Sequence, residues 1–207
     1  MALSAIAINC TLKRSGSEPS STDKMIELIA GELRKRDVEV RQTIRIADHD
    51  IKAGVTSDEG PGDDWPDIRK RILDCDILTF GTPIWLGQMS SFAKRVLERM
   101  DAFLSETDAH GRMPSFGKVA VVAIVGNEDG AHHITATLFQ ALNDVGWTIP
   151  AGGADYWVGE AMQKTNFIDL PQVPEPVRKG AEMLASNAVH LANVLKQAPY
   201  PGIPEAK

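Results

Sequence analysis

Short apolar runs alternating with segments of helical periodicity constrain this chain more than any other feature of its sequence. The first run, residues 3–8, is apolar without alternation, which is typical of a strand buried on both faces of a sheet. The run KVAVVAIVG, residues 118–126, has the same character and ends in glycine. Between such runs, as in residues 25–33, apolar positions recur every three or four residues, which predicts an amphipathic helix.

Extending this pattern along the chain predicts five strands separated by helices. The other strands are expected in residues 38–46 and 76–83 and somewhere within residues 147–159, which Pro150, Gly152 and Gly153 interrupt. The other helices are expected in residues 67–75, 90–104, 133–146 and 176–196. Each crossover between parallel strands is right-handed and lays its helix on one face of the sheet. We therefore predict an α/β fold, a doubly wound three-layer sandwich with a five-stranded parallel sheet and helices on both faces. It forms a single domain over residues 1–198, followed by a proline-rich tail over residues 199–207.

Composition and charge narrow the class of protein. Hydrophobic residues make up 43% of the chain and charged residues 24%, as in ordinary globular domains. The formal net charge of −6 argues against a nucleic-acid partner, which normally requires a basic face. Cys10 and Cys75 lack the spacing of a zinc site or a disulfide framework, so both are expected to be buried reduced thiols. The N-terminal apolar stretch is short and lacks a basic leader, so we expect a cytoplasmic protein without a membrane partner.

Ligands of open parallel sheets bind beyond the carboxyl ends of the strands, where the strand order reverses. Three loops follow strands at that edge of the predicted sheet, namely residues 9–22, 82–89 and 127–133. A further connection, residues 47–66, is rich in Asp and Gly and too long for a simple link, and its sequence indicates no particular role. Candidate binding residues are therefore sought in the three loops.

The first loop leads into a helix whose start has a capping pattern, with Ser20 followed three residues later by Asp23. The free N–H groups and positive dipole end of such a helix make a natural anion site. Polar side chains in reach of a phosphate there are Thr11, Lys13, Ser20, Ser21 and Thr22. Neither G-x-G-x-x-G nor G-x-x-x-x-G-K-[ST] occurs in the loop, so dinucleotide and P-loop sites lack their signatures. From this loop alone, a serine that merely caps the helix beside a solvated loop explains the pattern equally well.

The second and third loops offer surfaces for a flat ligand. TPIWLGQMSS, residues 82–91, sets four apolar residues in succession at the rim of the sheet, where they should cover a ligand or another subunit. Gly87 permits a close backbone approach, whereas Trp85 taken alone is better explained by ordinary packing. GNEDGAHH, residues 126–133, brackets polar residues with glycines, which suits backbone hydrogen bonds to the edge of a heterocycle. Its adjacent histidines suggest a metal site only weakly, because neighbouring side chains diverge and no carboxylate or cysteine partner is near in sequence. No metal is therefore expected, and His132 is expected to cap, pack or contact a ligand.

Taken together, NCTLKRSGSEPSST, TPIWLGQMSSFAKRVLERMD and VGNEDGAHH resemble the loops of flavodoxin-like FMN-binding proteins, specifically the NADPH-dependent FMN reductase family and its multimeric flavodoxin-type relatives. The resemblance extends from Ala5 to about Leu195. It implies that FMN phosphate lies against the first loop and the isoalloxazine ring between the other two. The residues that it assigns to FMN are Thr11, Lys13, Ser20, Ser21, Thr22, Pro83, Ile84, Trp85, Leu86, Gly87, Asn127, Gly130, Ala131 and His132. The first loop departs from the shorter form common in the family, being stretched around SGSEP, and the cysteine cluster of the family's iron–sulfur members is missing.

The resemblance also implies an activity: an FMN-dependent oxidoreductase that passes electrons from NAD(P)H to a quinone, a flavin or another small acceptor. Because the hydride chemistry belongs to the flavin, no catalytic acid or base is expected. Two alternatives stay open. One is a flavodoxin-type electron carrier, although the second loop has no acidic residue, and the other is an FMN-binding regulatory protein without NAD(P)H activity. A homodimer or homotetramer is implied as well, with residues 90–104 and the second loop near the interface.

Overall fold

One parallel sheet runs through the centre of the molecule and carries helices on both faces. The computed structural model describes residues 2–160 and 163–203. The strands are β1 (Ser4–Asn9), β2 (Glu39–Val40), β3 (Ile44–Arg45), β4 (Ile77–Trp85), β5 (Gln88–Met89), β6 (Val119–Gly126) and β7 (Ala154–Val158). The α-helices are α1 (Ser21–Arg34), α2 (Trp65–Leu73), α3 (Ser91–Met100), α4 (Ala131–Asp144) and α5 (Glu175–Gln197). The strand order β2-β1-β4-β6-β7 is parallel throughout and confirms the predicted flavodoxin-like sandwich.

Three elements differ from their predicted form. The second strand is divided into β2 and β3, which both pair with β1 and are separated by the polar residues 41–43. β4 continues through Pro83 to Trp85 and turns back into β5, so most of the predicted second loop is a tight antiparallel hairpin. The helix predicted over residues 90–104 is α-helical only to Met100 and then passes into a 3-10 turn, Asp101–Leu104.

The two faces of the sheet bury separate cores with side chains of different size. α2, α3 and α4 cover one face, on which the strands place large side chains such as Phe80 and Ile124. α1 and α5 cover the other face, where the strands place smaller residues such as Ala7. Gly81 lies on β4 beneath α1, where an added Cβ would be 2.6 Å from the Ile26 side chain. The small residues therefore let α1 pack close to the sheet, with its start at the carboxyl edge.

The connection between β3 and α2 is an ordered loop built around a buried ion pair. The Arg99 guanidinium of α3 donates to the Asp63 carboxylate at 2.7 Å, and neither side chain is exposed. The same guanidinium donates to the carbonyls of Lys52 and Thr56 at 3.0 and 2.9 Å and lies over the Trp65 ring. Burial opposes ionisation of Asp63, but hydrogen bonds from Arg99 and from backbone N–H groups outweigh it and hold the pKa of the carboxyl below its ordinary value. The loop is thereby anchored to α3.

Both cysteines lie inside the protein as free thiols, as the sequence predicts. Cys10 directly follows β1, and Cys75 lies between α2 and β4. Burial raises the pKa of each thiol above its ordinary value. Neither cysteine is therefore a ready thiolate nucleophile.

The C-terminal segment folds back onto the molecule after α5. The Tyr200 hydroxyl lies 3.2 Å from that of Thr148, and the Tyr200 ring meets the Phe116 ring edge-on at 5.7 Å between centroids. The last four residues of the predicted tail, 204–207, lie outside the described residues. α5 is the longest helix at 23 residues, and neither it nor any other described helix is long and apolar enough to cross a bilayer.

Candidate functional site

A cleft of about 360 Å³ opens at the carboxyl edge of the sheet, where the strand order reverses between β1 and β4. The three loops singled out in the sequence line it, together with part of the connection between β7 and α5. The lining residues are Thr11, Lys13, Pro19, Ser20, Ser21, Thr22, Pro83, Ile84, Trp85, Leu86, Val125, Gly126, Asn127, Glu128, Trp157, Asn166, Phe167 and Ile168.

The start of α1 forms one end of the cleft. Ser20 is the N-cap residue, and its hydroxyl accepts the backbone N–H of Asp23 at 3.3 Å, as the capping pattern predicts. The first N–H groups of a helix have no partner within the helix, and they carry the positive end of its dipole. This end of the cleft is therefore favourable for an anion.

A hydrogen-bond network behind the first loop determines its path. The Asn9 side chain, at the end of β1, accepts the Thr11 N–H at 2.9 Å and donates to Asp23 at 2.5 Å. Arg45 of β3 forms an ion pair with Asp23 and donates to the Lys13 carbonyl at 3.2 Å. Because Arg45 neutralises Asp23, the acid in the first turn of α1 does not cancel the attraction of the helix start for an anion.

The Asp48 carboxylate holds the first loop at Ser15, and Lys13 of the same loop lines the cleft. Asp48 accepts from the N–H and the hydroxyl of Ser15 at 2.8 and 2.5 Å, and these bonds keep the pKa of Asp48 below its ordinary value. The Lys13 ammonium lies 2.9 Å from the Glu18 carboxylate, with both side chains exposed. An exposed ion pair of this kind is weak, so Lys13 is available to an incoming anion.

The β4–β5 hairpin forms an apolar side of the cleft. Trp85 pairs with Gln88 across the two-residue turn Leu86–Gly87, in which both residues have positive φ, 51° and 72°. Hairpin turns of this kind favour Asn, Asp or Gly at the first position, so Leu86 is strained there. Leu86 is 92% exposed and Trp85 53%. A strained turn that holds two large apolar side chains in solvent indicates a contact surface for a ligand or another protein.

Glycines bring the second and third loops into close contact. Gly130 has a φ of 134°, and an added Cβ there would lie 2.8 Å from the backbone of Gly87. At Gly126, the last residue of β6, an added Cβ would lie 2.6 Å from the Ile84 side chain. Larger residues at these positions would push the two loops apart, so the glycines permit this close approach beside the cleft.

The connection between β7 and α5 forms a fourth side of the cleft, which was not predicted from the sequence. Asn166, Phe167 and Ile168 line it, within and just before a short 3-10 turn, Phe167–Asp169. Trp157 of β7 lines the same side, with its ring centroid 5.5 Å from that of Phe167. The available signal was an aromatic residue near the carboxyl end of the last predicted strand, which is where ligands of such sheets bind.

Most of the residues that the sequence assigned to a ligand line the cleft, and the exceptions are Gly87, Gly130, Ala131 and His132. The two glycines shape the neighbouring loops instead, and Ala131 is buried at the start of α4. The Nε2 atom of His132 lies 2.8 Å from the Tyr156 hydroxyl, with the two rings edge-on. His132 therefore packs against β7 rather than lining the cleft.

The strand that carries Trp157 also carries a buried acid. Asp155 is 5% exposed, and its Oδ2 atom has no hydrogen-bond partner in the described part of the chain. It lies beneath α5, where an added Cβ at Gly180 would be 2.6 Å from Oδ1. Burial raises the pKa of Asp155 to about 7. This carboxyl therefore changes its charge near neutral pH.

The two ends of the cleft differ in chemistry. Near α1 the cleft offers helix N–H groups, hydroxyls and the Lys13 ammonium, a donor set that suits a phosphate. Toward β4 and β7 it offers Pro83, Trp85 and Trp157, whose surfaces suit a flat ring system. The donor set thus fits a mononucleotide with a large aromatic head.

Comparison with known proteins finds relatives that share nearly the whole chain. The chain is 31% identical to 8-demethyl-8-aminoriboflavin-5'-phosphate synthase of Streptomyces davaonensis, over 97% of this chain and 81% of the synthase. It is 37% identical to the divalent metal cation transporter MntH of Mycobacterium bovis over 99% of this chain, but it spans only 30% of that protein. A crystal structure of RosB with the bound intermediate OHC-RP (8-demethyl-8-formylriboflavin-5'-phosphate) matches with a TM-score of 0.86 and 31% identity, over 97% of this chain and 82% of that chain.

A family model matches most of the chain, including the loops that line the cleft. The model for NADPH-dependent FMN reductases matches residues 5–163, which contain all three loops predicted from the sequence. The matched region ends just before the Asn166–Ile168 side of the cleft and before α5. The chain therefore belongs to the NADPH-dependent FMN reductase family.

Proposed function

We propose that the protein binds FMN non-covalently in this cleft and passes electrons from NADH or NADPH to a small acceptor such as a quinone or a free flavin. One observation carries the proposal: the cleft joins an anion-binding helix start to an apolar, aromatic surface. Bound FMN supplies the hydride and electron chemistry. The chain itself has to bind the cofactor, orient it and limit its contact with water.

The residues of the cleft divide these tasks. The first turn of α1, the hydroxyls of Thr11 and Ser20, and the Lys13 ammonium would hold the phosphate. Pro83 and Trp85 would lie against the ring system. The third loop, which brings Asn127 to the cleft, would close another edge of the ring.

The decisive experiment is an absorbance titration of the purified protein with FMN, followed by anaerobic addition of NADH and NADPH to separate samples. We expect a shifted flavin spectrum on binding and bleaching of the visible flavin band by at least one of the two donors. A protein that takes up no FMN would overturn the proposal. Binding without bleaching by either donor would favour an electron carrier or an FMN-binding regulatory protein instead.

A second candidate function uses FMN as a substrate rather than as a cofactor. It is favoured by the 31% identity to a synthase of a riboflavin-5'-phosphate derivative and by the similarity to RosB with a modified flavin phosphate bound. The same cleft would hold the same phosphate in both cases. Mass spectrometry of the flavin recovered from protein purified aerobically separates the two, because a new flavin mass is expected only if the ring is modified.

We also propose that the protein forms a homodimer or homotetramer through the hairpin tip and α3. Support comes from large apolar side chains that these elements leave in solvent, Trp85 and Leu86 on the hairpin and Leu104 after α3. Light scattering at micromolar concentration should give a dimer or tetramer, and Leu86→Lys combined with Leu104→Lys should shift it toward the monomer. A wild-type monomer would contradict this assignment.

A further inference from the structure

We infer that Lys24 is a positioning residue for the flavin site, because it holds residues 166–170, here called the fourth wall, against the start of α1. The inference rests on the proposed function and assigns the fourth wall to binding of the ring system rather than of the phosphate. Lys24 itself does not line the cleft, whereas Asn166, Phe167 and Ile168 of the fourth wall do. Lys24 would therefore act through the wall.

The Lys24 ammonium is saturated by carbonyl oxygens of the fourth wall. Its Nζ atom donates to the backbone carbonyls of Phe167, Ile168 and Leu170 at 2.9, 3.3 and 2.9 Å. An ammonium has three N–H bonds, and each has a carbonyl partner here. Nζ also lies 5.2 Å from the centroid of the Phe167 ring, which adds a cation–π contact.

Two further hydrogen bonds tie the fourth wall to neighbouring parts of the cleft. The Ser21 hydroxyl, in the first turn of α1, accepts the Ile168 N–H at 3.1 Å. The Asn127 side chain, in the third loop, donates to the Asn166 side chain at 3.4 Å. The wall thus bridges α1 and the third loop, with Lys24 making most of the bonds on the α1 side.

The position of the wall depends on Lys24 because a three-residue 3-10 turn satisfies few of its own carbonyls. Without the ammonium, the carbonyls of Phe167, Ile168 and Leu170 would lose the partner that they share. Phe167 is fully buried, and its ring packs on that of Trp157, which also lines the cleft. A shift of the turn would therefore change the surface that the cleft presents to a ligand.

The fourth wall is suited to the ring system by its chemistry. Its three lining residues carry no charge, whereas Lys13 and the hydroxyls that suit a phosphate belong to the first loop and to α1. The wall also lies beyond residue 163, outside the region that the family model matches. Displacing it should weaken contacts that FMN shares with riboflavin, which has the same ring system but no phosphate.

The test compares Lys24→Met with Lys13→Met in the binding of FMN and of riboflavin, by titration of flavin fluorescence. Lys24→Met should lower the affinity for both flavins by a similar factor of about 10, whereas Lys13→Met should lower the affinity for FMN alone. Lys35→Met is the matched control, because Lys35 lies at the other end of α1 and pairs with Glu32. It should change neither affinity. If Lys24→Met fails to fold, Lys24→Gln, whose amide keeps two N–H donors, replaces it and should show a smaller loss for both flavins.

Hydrogen exchange on the ligand-free protein gives a second readout. Lys24→Met should accelerate exchange of the amides in residues 166–170 and leave β1 and β6 unchanged. Unaltered exchange in the wall, unaltered flavin affinity, or a loss confined to FMN would each overturn the inference and leave the proposed function standing. Wild-type protein that binds neither flavin would instead overturn the proposed function, and this inference with it.

Discussion

Lys13 stands at the phosphate end of the proposed site in an exposed ion pair with Glu18. Lys13→Met keeps much of the side-chain length and removes the charge. Because a hydrogen bond to a charged group contributes about 1.5–3 kcal/mol, FMN affinity should fall about 10- to 150-fold. Calorimetric titration with FMN measures this fall in affinity. Lys179→Met is a control, since Lys179 also forms an exposed pair, with Glu175 on α5 at 2.7 Å. An equal fall in riboflavin affinity would show that Lys13 does not contact the phosphate.

Asp155 is expected to make the stability of the protein depend on pH. Its pKa in the folded protein is about 7, against an ordinary value of 3.8. A raised carboxyl pKa favours the folded state below about pH 4, and this contribution is lost as the pH rises through about 7. The side chain in Asp155→Asn is neutral at every pH. The free energy of unfolding of this variant should therefore exceed that of wild type by about 1–3 kcal/mol near pH 8 and equal it near pH 4.

Urea unfolding at the two pH values checks this expectation. Asp101→Asn is the control, because Asp101 is an exposed carboxylate that follows α3, and α3 lies on the face of the sheet opposite to α5. It should show no such pH-dependent gain. If Asp155→Asn made the protein less stable than wild type near pH 8, the carboxylate would have a favourable partner in the folded protein.

Among the elements, the connection between β3 and α2 owes its order to the Arg99–Asp63 pair. Removing one partner of a buried pair leaves an uncompensated charge and costs about 3–5 kcal/mol. Arg99→Leu should lose that much stability in urea unfolding and expose residues 51–64 to proteolysis. Arg95→Leu, on the same helix, removes a single bond to the Ile51 carbonyl and should cost about 1 kcal/mol. Equal losses would mean that the pair does not organise the loop.

The elements that could be predicted from the sequence are those with a strong local pattern. β1 and β6 are built mostly from continuous apolar runs, and the capping pattern at Ser20 placed the start of α1. The β4–β5 hairpin was not predicted, because its turn has Leu86 at a position where Asn, Asp or Gly is normally found. The polar residues 41–43 divide β2 from β3. Their effect on strand pairing is small and local, so the division was not predicted.

The parts of the site that could not be predicted depend on contacts between distant positions. Lys24 and Phe167 lie 143 positions apart, and no local pattern links them. Arg99 and Asp63 lie 36 positions apart, so the order of the 47–66 connection was equally hidden. The three loops were accessible because parallel topology alone brings the carboxyl ends of strands to one edge. No such rule predicts that the later part of a connection, such as residues 166–170, folds back to that edge.

At the scale of the whole molecule, binding of FMN should stabilise the fold by mass action. FMN at about 100 times its dissociation constant adds about 2.7 kcal/mol to the free energy of unfolding. For a domain of this length that corresponds to a rise in Tm of roughly 5–11 °C. Scanning calorimetry with and without FMN measures the shift, and riboflavin at the same concentration should give a smaller one. An unchanged Tm at a saturating FMN concentration would mean that the folded protein does not bind FMN.

The position of Cys10 has a practical consequence. Its thiol is fully buried directly after β1, and its carbonyl accepts the Ser90 hydroxyl at 2.6 Å, which joins the first loop to the start of α3. We expect an alkylating reagent to reach this buried sulfur only when that junction separates. The labelling rate of Cys10 should therefore report how often the junction between the first loop and α3 opens, with no probe added to the natural chain.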